Sequence, residues 1–314
     1  MKAMDVHCHF LPQEYVEALK RYGRISEDGF PCPQWSEEMQ LEYMEKAQIA
    51  HAVLTISSPH PYFGDGAYSA QLCRMLNESA AALARKYPGM FSYAAVLPLP
   101  DVERALAEAR FAIEQGGACG IKLSSQAAGL YPGDERMEPL LEYLNERHAV
   151  LIFHPTRPQA VPEGCFTSGP LPLLEFINDT TRAVVDLIAK GTLEKYGNLR
   201  VVVPHCGSFL PNIMDRLEGI TRLLAAKGIG KPVDVRKSLQ SLYFDVAGDA
   251  LPRGIQILRT MADDDHILFG GDFPYTPISM IADKIEQMDG DHSLDGIREK
   301  LYWKNAQSLF DIRI

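Results

Sequence analysis

The sequence lacks the features that would point to a membrane or a nucleic acid as partner. It has no uninterrupted apolar run near the roughly 18 residues that a membrane-spanning helix needs. Its 41 acidic residues outnumber its 31 basic residues, which gives a formal net charge of -10, and no basic stripe stands out. Nucleic acids and anionic membranes bind basic surfaces, so we expect neither as a partner.

Paired cysteines and an export signal are also absent. The six cysteines are scattered without a CxxC pair. Met1 and Lys2 lead directly into a short apolar segment, rather than into the apolar stretch of about 7–15 residues that marks a signal peptide. Scattered cysteines in a long chain without an export signal are typically reduced thiols. We therefore expect a cytoplasmic protein.

What the chain does contain is a regular alternation of two kinds of segment. Eight short apolar segments, rich in β-branched or aromatic residues, are typical of strands: Met4–Val6, Ala52–Ile56, Phe91–Leu97, Cys119–Leu123, Val150–Phe153, Arg200–Pro204, Leu242–Val246 and His266–Phe269. Amphipathic segments with capping and stop residues predict helices between them. These are Pro12–Tyr22, Ala67–Lys86, Val102–Gln115, Met137–Arg147, Leu173–Lys195, Phe209–Lys227, Pro252–Ala262 and, as two or more helices, Ile278–Phe310.

Strands that alternate with helices form parallel sheets, because parallel strands need long crossover connections. Eight such units in 314 residues predict an α/β protein, a TIM-like (β/α)8 barrel with extra C-terminal helices and a single domain over residues 1–314. An open doubly wound sheet is the alternative. It is disfavoured because no GxGxxG or P-loop motif follows the first predicted strand.

Seven of the nine histidines lie at the ends of the predicted strands. His51, His148 and His266 stand at N-terminal strand edges, where a barrel places residues that serve stability, so we interpret them as structural. The C-terminal strand ends, where barrel active sites form, carry a second group: His7, His9, His154, His205 and Asp272. Four imidazoles and a carboxylate that converge on one barrel mouth predict a functional site.

The pattern of these side chains suits a metal ion. Side chains alternate faces along a strand, so His7 and His9 point the same way while Cys8 between them points away. With His154 and Asp272 they form a set of three nitrogens and one oxygen, which suits one Zn²⁺ with a position left for water. Fe²⁺, Mn²⁺ or Co²⁺ could occupy the same ligands. Bound zinc lowers the pKa of its water to about 7.

His205 is assigned to proton transfer rather than to the metal. Four protein ligands are already present, and a free imidazole exchanges protons near neutral pH. A role for His205 as a fifth ligand or as a support for the ligands is the alternative. Asp272 could shuttle a proton in addition to binding the metal. Cys206, the next residue after His205, should face away from the site.

Four segments resemble the amidohydrolase superfamily in their order and strand positions: DVHCHFLP, FHP, PHCGSF and FGGDFPYTP. Within it the chain is most similar to the group of aminocarboxymuconate semialdehyde decarboxylase and the orsellinate- and resorcylate-type decarboxylases. The resemblance covers nearly the whole chain and implies a distorted barrel with one divalent metal, usually zinc. It implies His205 as the catalytic histidine and four ligands, His7, His9, His154 and Asp272.

The resemblance also implies a homodimer in which an arginine from the helix after strand six enters the neighbouring subunit's site. Arg216 occupies the matching position, with an ion pair to Asp215 or Glu218 as the alternative. The semialdehyde decarboxylase carries a substrate-binding arginine shortly before a tryptophan in the loop after strand one. This chain has Trp35 but no arginine just ahead of it, so its substrate or its reaction could differ.

Other residues near the predicted mouth are candidate substrate contacts. Arg157 could bind a carboxylate or be a solvated loop residue, and His60 could line the pocket. Lys122 ends strand four, where binuclear amidohydrolases carry a carboxylated lysine that bridges two metals; an inward-facing charge or a substrate contact is the favoured interpretation. Aromatic residues on the mouth loops suit a planar unsaturated substrate: Phe10, Trp35, Tyr62, Phe63, Phe273 and Tyr275.

Two reaction classes are compatible with this set of residues, and the substrate is expected to be a small carboxylic acid or a lactone. The favoured reaction is non-oxidative decarboxylation of an unsaturated or aromatic carboxylic acid, a carboxy-lyase reaction in which His205 activates water or relays a proton. The alternative is hydrolysis of a lactone or amide by the same metal-bound hydroxide, with hydration as a variant. The ligand set does not separate the two.

Overall fold

The computed structural model describes residues 2–161 and 169–312, and one eight-stranded parallel sheet forms its centre. The strands follow chain order: β1 (Ala3–His9), β2 (Ile49–Thr55), β3 (Phe91–Val96), β4 (Gly120–Ser124), β5 (Val150–His154), β6 (Arg200–Val203), β7 (Tyr243–Asp245) and β8 (Ile267–Leu268). The chain after β8 returns to β1, where the Val6 N–H donates to the Phe269 carbonyl at 3.1 Å. This nearly closed barrel confirms the predicted (β/α)8 architecture.

Helices surround the sheet. The α-helices are Gln13–Arg21, Glu37–Lys46, Gly66–Lys86, Val102–Phe111, Glu138–Glu146, Glu175–Ala189, Thr192–Lys195, Leu210–Ala226, Val235–Gln240, Gly254–Leu258, Ile278–Gly290 and Asn305–Phe310. Shorter helical turns are Ala112–Gly116, Glu135–Met137, Leu171–Leu173, Asp264–His266, His292–Leu294 and Lys300–Lys304. A further irregular turn, Pro204–Gly207, follows β6 and contains non-helical φ and ψ angles.

The helices differ from the sequence prediction in three places. The predicted helix after strand five is interrupted at Gly191, where a φ of 70° breaks the helical geometry. Glu37–Lys46 and Val235–Gln240 are helices that the sequence analysis did not identify. Both begin at a side chain that accepts a backbone N–H, Ser36 in the first case and Asp234 in the second. Ser36 and Asp234 are residue types that commonly cap helices, so the sequence did contain an indication of where these two helices begin.

The apolar interior of the barrel lies toward the N-terminal ends of the strands. Inward-facing side chains form one buried cluster: Met4, Val6, Val53, Ala94, Val150, Ile152, Val202 and Leu268. The C-terminal helix adds Leu309 and Phe310 to this cluster, and the Arg200 guanidinium at the start of β6 donates to the Leu309 carbonyl at 3.0 Å. The helix therefore closes the bottom of the barrel and leaves polar chemistry to the opposite end.

Of the three histidines at N-terminal strand edges, His51 and His266 are held as structural groups, whereas His148 is exposed. His51 is buried, with its two ring nitrogens 3.0 Å from the Gly89 carbonyl and 2.8 Å from the Ser92 hydroxyl. His266 stacks on Tyr243 with 4.2 Å between ring centroids. These contacts occupy both imidazoles at the stability face of the barrel. No helix within the described residues combines the length and the apolar character needed to cross a membrane.

Candidate metal centre and active site

The structure brings His7, His9, His154 and Asp272 together at the C-terminal end of the barrel. One ligand atom from each residue lies within 4.8 Å of those of the others. The three histidines are at most 6% exposed. Cys8 faces the opposite side of β1, where it is fully buried and its sulfur accepts a hydrogen bond from the Gln40 amide at 3.1 Å. The alternation of faces along β1 therefore holds as predicted.

Asp272 reaches the cluster because the chain after β8 lies against β1. Its backbone N–H donates to the His7 carbonyl at 2.7 Å, and its φ is 65°. Gly270 precedes it at a close approach, because a Cβ there would meet the His7 Cβ at 2.8 Å. The GGDFP motif thus combines a glycine that tolerates close packing with a carboxylate that turns toward the strand one histidines.

Each histidine of the cluster has its Nδ1 occupied by a protein group. Nδ1 of His7 lies 2.9 Å from an Asp245 carboxylate oxygen, and Nδ1 of His9 lies 3.1 Å from the Thr55 hydroxyl. Nδ1 of His154 lies 2.8 Å from the backbone carbonyl of Pro155. These contacts orient the rings and place Nε2 toward the cluster, as acceptors do behind metal-bound histidines.

The orientation leaves one nitrogen without a hydrogen bond in a buried place. Nε2 of His7 has no hydrogen-bond partner among the described residues and lies 3.5 Å from Oδ1 of Asp272. Nε2 of His9 lies 3.0 Å from the same oxygen. A buried, unpaired polar atom is costly. Three imidazole nitrogens that converge on one carboxylate oxygen fit a divalent metal ion. A bound ion would also give the unpaired Nε2 of His7 a partner.

The charge balance of the cluster also favours a cation. Burial lowers the pKa of His7, but Asp245 and Asp272 outweigh burial and raise that pKa to about 10. Burial lowers the pKa of His9 and, with the neighbouring His9 and His7, holds the pKa of His154 well below its usual range. The two carboxylates therefore favour a positive charge beside His7. His9 and His154 are neutral imidazoles, which is the form that binds metals.

His205 lies beside the cluster but is not one of the four grouped ligands. Its ring centroid is 5.1 Å from that of His7, and its backbone N–H donates to Asp245 at 3.1 Å. Its φ of 57° belongs to the irregular turn after β6. Burial and the charge of His7 lower the pKa of His205 to about 4, so the ring is neutral at physiological pH. Its buried Nδ1 has no hydrogen-bond partner among the described residues.

A cavity of about 210 Å³ opens over the cluster. The cavity is lined by His154, His205 and Asp272 together with Asp28, Phe30, Ser57, Ser58, Pro172, Phe176, Ile177 and Tyr275. A wider cavity of about 390 Å³ adjoins it, because His205 and Asp272 line both. Aromatic and apolar walls around a few polar groups are typical of small-molecule sites.

The four predicted substrate contacts do not line this cavity in the subunit. Arg157 and His60 line a neighbouring cavity of about 230 Å³ instead, because an Arg157 Nη donates to the Glu27 carbonyl at 3.4 Å. Trp35 donates to the Gln40 side chain at 3.0 Å and packs edge-on against Phe10. The side chain therefore lies beneath the loop.

Arg216 is exposed on the helix Leu210–Ala226. The suggested ion pairs with Asp215 and Glu218 are made by Arg236 instead, at 3.3 and 2.7 Å. Arg216 thus has no ion-pair partner among the described residues of its own subunit, and it projects from a surface helix rather than into the cavity of that subunit.

Lys122 is a fully buried cation on β4. Its Nζ donates to the Ser124 hydroxyl at 2.7 Å and to the Ser57 carbonyl at 3.4 Å. Burial lowers the pKa of Lys122 to about 7. His60 lies next to it, with Nδ1 3.1 Å from the same Ser124 hydroxyl. Lys122 is therefore an inward-facing charge held by neutral groups, as the favoured interpretation expected.

The sequence analysis missed two carboxylates of the site. Asp245 ends β7 and holds both the His7 ring and the His205 backbone. It stands at a C-terminal strand end, in LYFDVAG, so the rule that found the histidines would also have found it. Asp28 lies in the loop after β1. No spacing in the sequence marks it, because only the folded loop brings it to the cavity.

Comparison with known proteins identifies the family. The amidohydrolase family model (Amidohydro_2) matches residues 4–312. Decarboxylase yanB of Aspergillus niger is 33% identical over 92% of this chain and 82% of its own length. The 6-methylsalicylic acid decarboxylase acuB of Aspergillus aculeatus is 30% identical over 98% of this chain and 95% of its own length.

Solved structures share the same fold. A structure described as amidohydrolase II is 33% identical, with a TM-score of 0.94 over 99% of this chain and 100% of that chain. The dihydroxybenzoic acid decarboxylase of Polaromonas, solved with bound manganese, has a TM-score of 0.81 at 21% identity, over 99% of this chain and 97% of its own. The family match across nearly the whole length, with these relatives, shows that this chain is an enzyme of the amidohydrolase family.

Proposed function

We propose that this enzyme is a metal-dependent, non-oxidative decarboxylase that acts on an aromatic carboxylic acid. The observation that carries the proposal is the convergence of His7, His9, His154 and Asp272 beneath a cavity with aromatic and apolar walls. The names of both fungal relatives, each at least 30% identical, describe decarboxylases, and one of them names an aromatic acid as its substrate.

The four grouped residues would hold one divalent ion, for which we propose Zn²⁺, with Mn²⁺ as the alternative that the Polaromonas structure supports. Such an ion would supply positive charge that orients a carboxylate and a neighbouring oxygen of the substrate. The chain's own residues complete the arrangement. Phe30, Phe176 and Tyr275 line the cavity and would hold an aromatic ring between apolar surfaces.

The reaction requires a proton at the right carbon. In decarboxylation the bond between the ring and the carboxyl group breaks, its electron pair remains on the ring carbon, and a proton takes the place of the carboxyl group. His205 is buried, neutral and faces the cavity. It would take a proton from a hydroxyl of the substrate or from water and return it to the ring carbon, with Asp272 as the second group able to carry it.

We also propose that the enzyme works as a homodimer through the helix Leu210–Ala226. Only Leu210 is buried among its 17 residues. Ile220, Leu223 and Leu224 on this helix are between 37% and 48% exposed. A second copy that covers these apolar side chains would remove them from water. Arg216 lies on the same helix and is the residue that would reach the neighbouring subunit.

The reaction is tested by incubating the metal-loaded enzyme with hydroxybenzoic acids and, separately, with lactones. We expect release of CO₂ from an aromatic acid and no lactone opening. His205→Asn should remove the activity while the metal content per chain stays unchanged, because His205 lies outside the ligand group. Lactone or amide hydrolysis without release of CO₂ from any acid would contradict the proposal and favour the hydrolase alternative.

A further inference from the structure

Asp28 is a buried carboxylate that the proposed reaction does not use. It is 5% exposed and lines the cavity above the metal ligands. Packing fixes its position: its backbone carbonyl accepts from the Leu171 N–H at 2.9 Å. Gly29 next to it has a φ of 92° and approaches Pro170 so closely that a Cβ would lie 2.7 Å from the Pro170 Cα. The loop is therefore built to present this carboxylate.

The Asp28 carboxylate accepts fewer hydrogen bonds than its oxygens allow. The Ser58 hydroxyl donates to Oδ1 of Asp28 at 3.1 Å, and this is its one side-chain hydrogen bond within the described residues. Ser58 in turn lies 3.2 Å from the Thr156 hydroxyl. An ionised carboxylate has room for about four hydrogen bonds. A buried carboxylate with spare acceptor capacity at a cavity wall can receive a donor from a bound molecule.

No cation forms an ion pair with Asp28 within the described residues, and the charges of Arg24 and Arg157 act on it only from a distance. The described residues that line the cavity include neither lysine nor arginine. Arg24 lies on the same loop as Asp28, but its guanidinium binds Glu27. Arg157 donates to the Glu27 carbonyl and lines the neighbouring cavity. A second carboxylate of a ligand at this wall would therefore face Asp28 without a positive charge between them, which costs free energy.

We propose that Asp28 is a specificity-determining residue that accepts a hydrogen bond from a ring hydroxyl of the substrate and excludes acids that carry a second carboxylate. The inference rests on the proposed function, since it names the class of aromatic acid that the same cavity takes. The preferred substrate is a hydroxylated benzoic acid with one carboxyl group.

The test compares three kinds of ligand: salicylate, its derivatives with one additional ring hydroxyl, and salicylate with a second carboxyl group. Turnover is measured as CO₂ release, and binding to the metal-loaded enzyme is measured by calorimetry. In the wild type, one hydroxylated derivative should exceed salicylate in kcat/KM. Asp28→Ala should reduce that ratio about tenfold or more, the size of one charge-assisted hydrogen bond.

Asp28→Asn separates the two halves of the inference. An amide keeps an acceptor oxygen but carries no charge, so the hydroxyl preference should persist in part. Binding of the dicarboxylate should tighten about tenfold or more. Asp283→Asn is the matched control: it makes the same change of charge at an exposed position on the helix Ile278–Gly290. It should change neither ratio.

Three results would overturn the inference. Equal loss of activity toward salicylate and its hydroxylated derivatives in Asp28→Ala would assign Asp28 a structural role. An unchanged affinity of Asp28→Asn for the dicarboxylate would contradict the proposed exclusion. Equal effects of Asp283→Asn would attribute both changes to the net charge of the protein rather than to Asp28. Failure of the proposed function is recognised separately, because the wild type would then release no CO₂ from any acid, whereas calorimetry would still report the binding preferences.

Discussion

At the scale of single residues, the site depends on groups behind the ligands as much as on the ligands. Asp245 is not one of the four proposed ligands, yet it binds the Nδ1 of His7 and the backbone N–H groups of His205 and Ala247. It therefore couples the orientation of His7, a proposed metal ligand, to the orientation of His205, the proposed proton carrier. A neutral replacement would keep the size of the side chain but lose the charge that supports His7.

Asp245→Asn should weaken metal binding by about 10–100-fold, the usual cost of losing a carboxylate behind a ligand histidine. A competition titration against a chelator of known affinity measures the change. Asp283→Asn serves as the control, because Asp283 is exposed on the helix Ile278–Gly290. Wild-type affinity in Asp245→Asn would show that the carboxylate does not support the ligand.

The three residues at the start of the chain should respond differently to substitution. Cys8→Ser should retain one metal ion per chain, since Cys8 is buried against Gln40 on the far side of β1. His7→Ala and His9→Ala should each abolish binding, because each removes one of four ligands. Elemental analysis of the purified variants measures the metal content. Loss of metal in Cys8→Ser with retention in His7→Ala would overturn the assignment.

Asp28 should leave a signature in the pH dependence of stability. Burial raises the pKa of Asp28 from 3.8 to about 6, so between these values the folded state binds more protons than the unfolded state. The free energy of unfolding should therefore fall as pH rises through this window. Asp28→Asn should remove up to about 3 kcal/mol of that decrease.

Denaturant unfolding at several pH values between 4 and 7, at equal metal concentration, measures the difference between the wild type and Asp28→Asn. The Asp283→Asn variant should follow the wild type, because Asp283 is exposed and no buried charge is lost. A pH-independent difference between the wild type and Asp28→Asn would show that the carboxyl is not destabilised by burial in the folded state.

At the scale of secondary structure elements, the helix Leu210–Ala226 is the exception among the helices around the barrel. Others, such as Gly66–Lys86 and Glu175–Ala189, bury eight or nine side chains, whereas this helix buries only Leu210. Met214 and Leu217 on this helix pack partly against the core, whereas Ile220, Leu223 and Leu224 are exposed within the described part of the subunit. Such a helix is typical of a contact between copies of a chain.

Leu223→Glu should shift the enzyme from dimer to monomer, because it places a charge at the centre of the exposed apolar face. Sedimentation velocity measures the oligomeric state over a range of protein concentrations. Met75→Glu is the matched control, because Met75 is 42% exposed on the helix Gly66–Lys86. A monomeric wild type, or a Leu223→Glu variant that remains dimeric, would contradict the proposed interface.

At the scale of the whole molecule, the cluster joins the first and the last strands of the barrel. His7 and His9 belong to the first strand, His154 to the fifth, and Asp272 follows the last. An ion bound to all four would link segments that are about as far apart in sequence as the chain allows. It would also offset the charge of Asp272 and Asp245, so an acidic barrel mouth could accept an acidic substrate.

Removal of divalent metal should therefore lower the thermal unfolding temperature of the whole domain. A ligand at about 1,000 times its Kd stabilises the folded state by about 4 kcal/mol. Thermal unfolding with and without a chelator measures the shift. The unfolding temperature of His7→Ala should not depend on added metal. A wild type whose unfolding temperature is equally insensitive would show that the cluster does not hold an ion in the folded state.

The barrel fold and the grouping of the four residues could both be predicted from sequence patterns alone. Strand periodicity placed His7 and His9 on one face of β1, and a barrel brings every C-terminal strand end to the same mouth. The same rule also applied to Asp245. Side-chain alternation and strand order are local and topological properties, so they can be deduced without coordinates.

Which loop residues reach the cavity depends on tertiary packing and could not be predicted from the sequence. Arg157 and Asp28 both lie on loops near the mouth, but Arg157 turns toward Glu27 and lines a neighbouring cavity, whereas Asp28 lines the cavity over the cluster. The course of an irregular loop depends on contacts between segments distant in sequence, such as that between Gly29 and Pro170. No periodicity within either segment encodes such a contact, so the substrate side of the site was settled by packing.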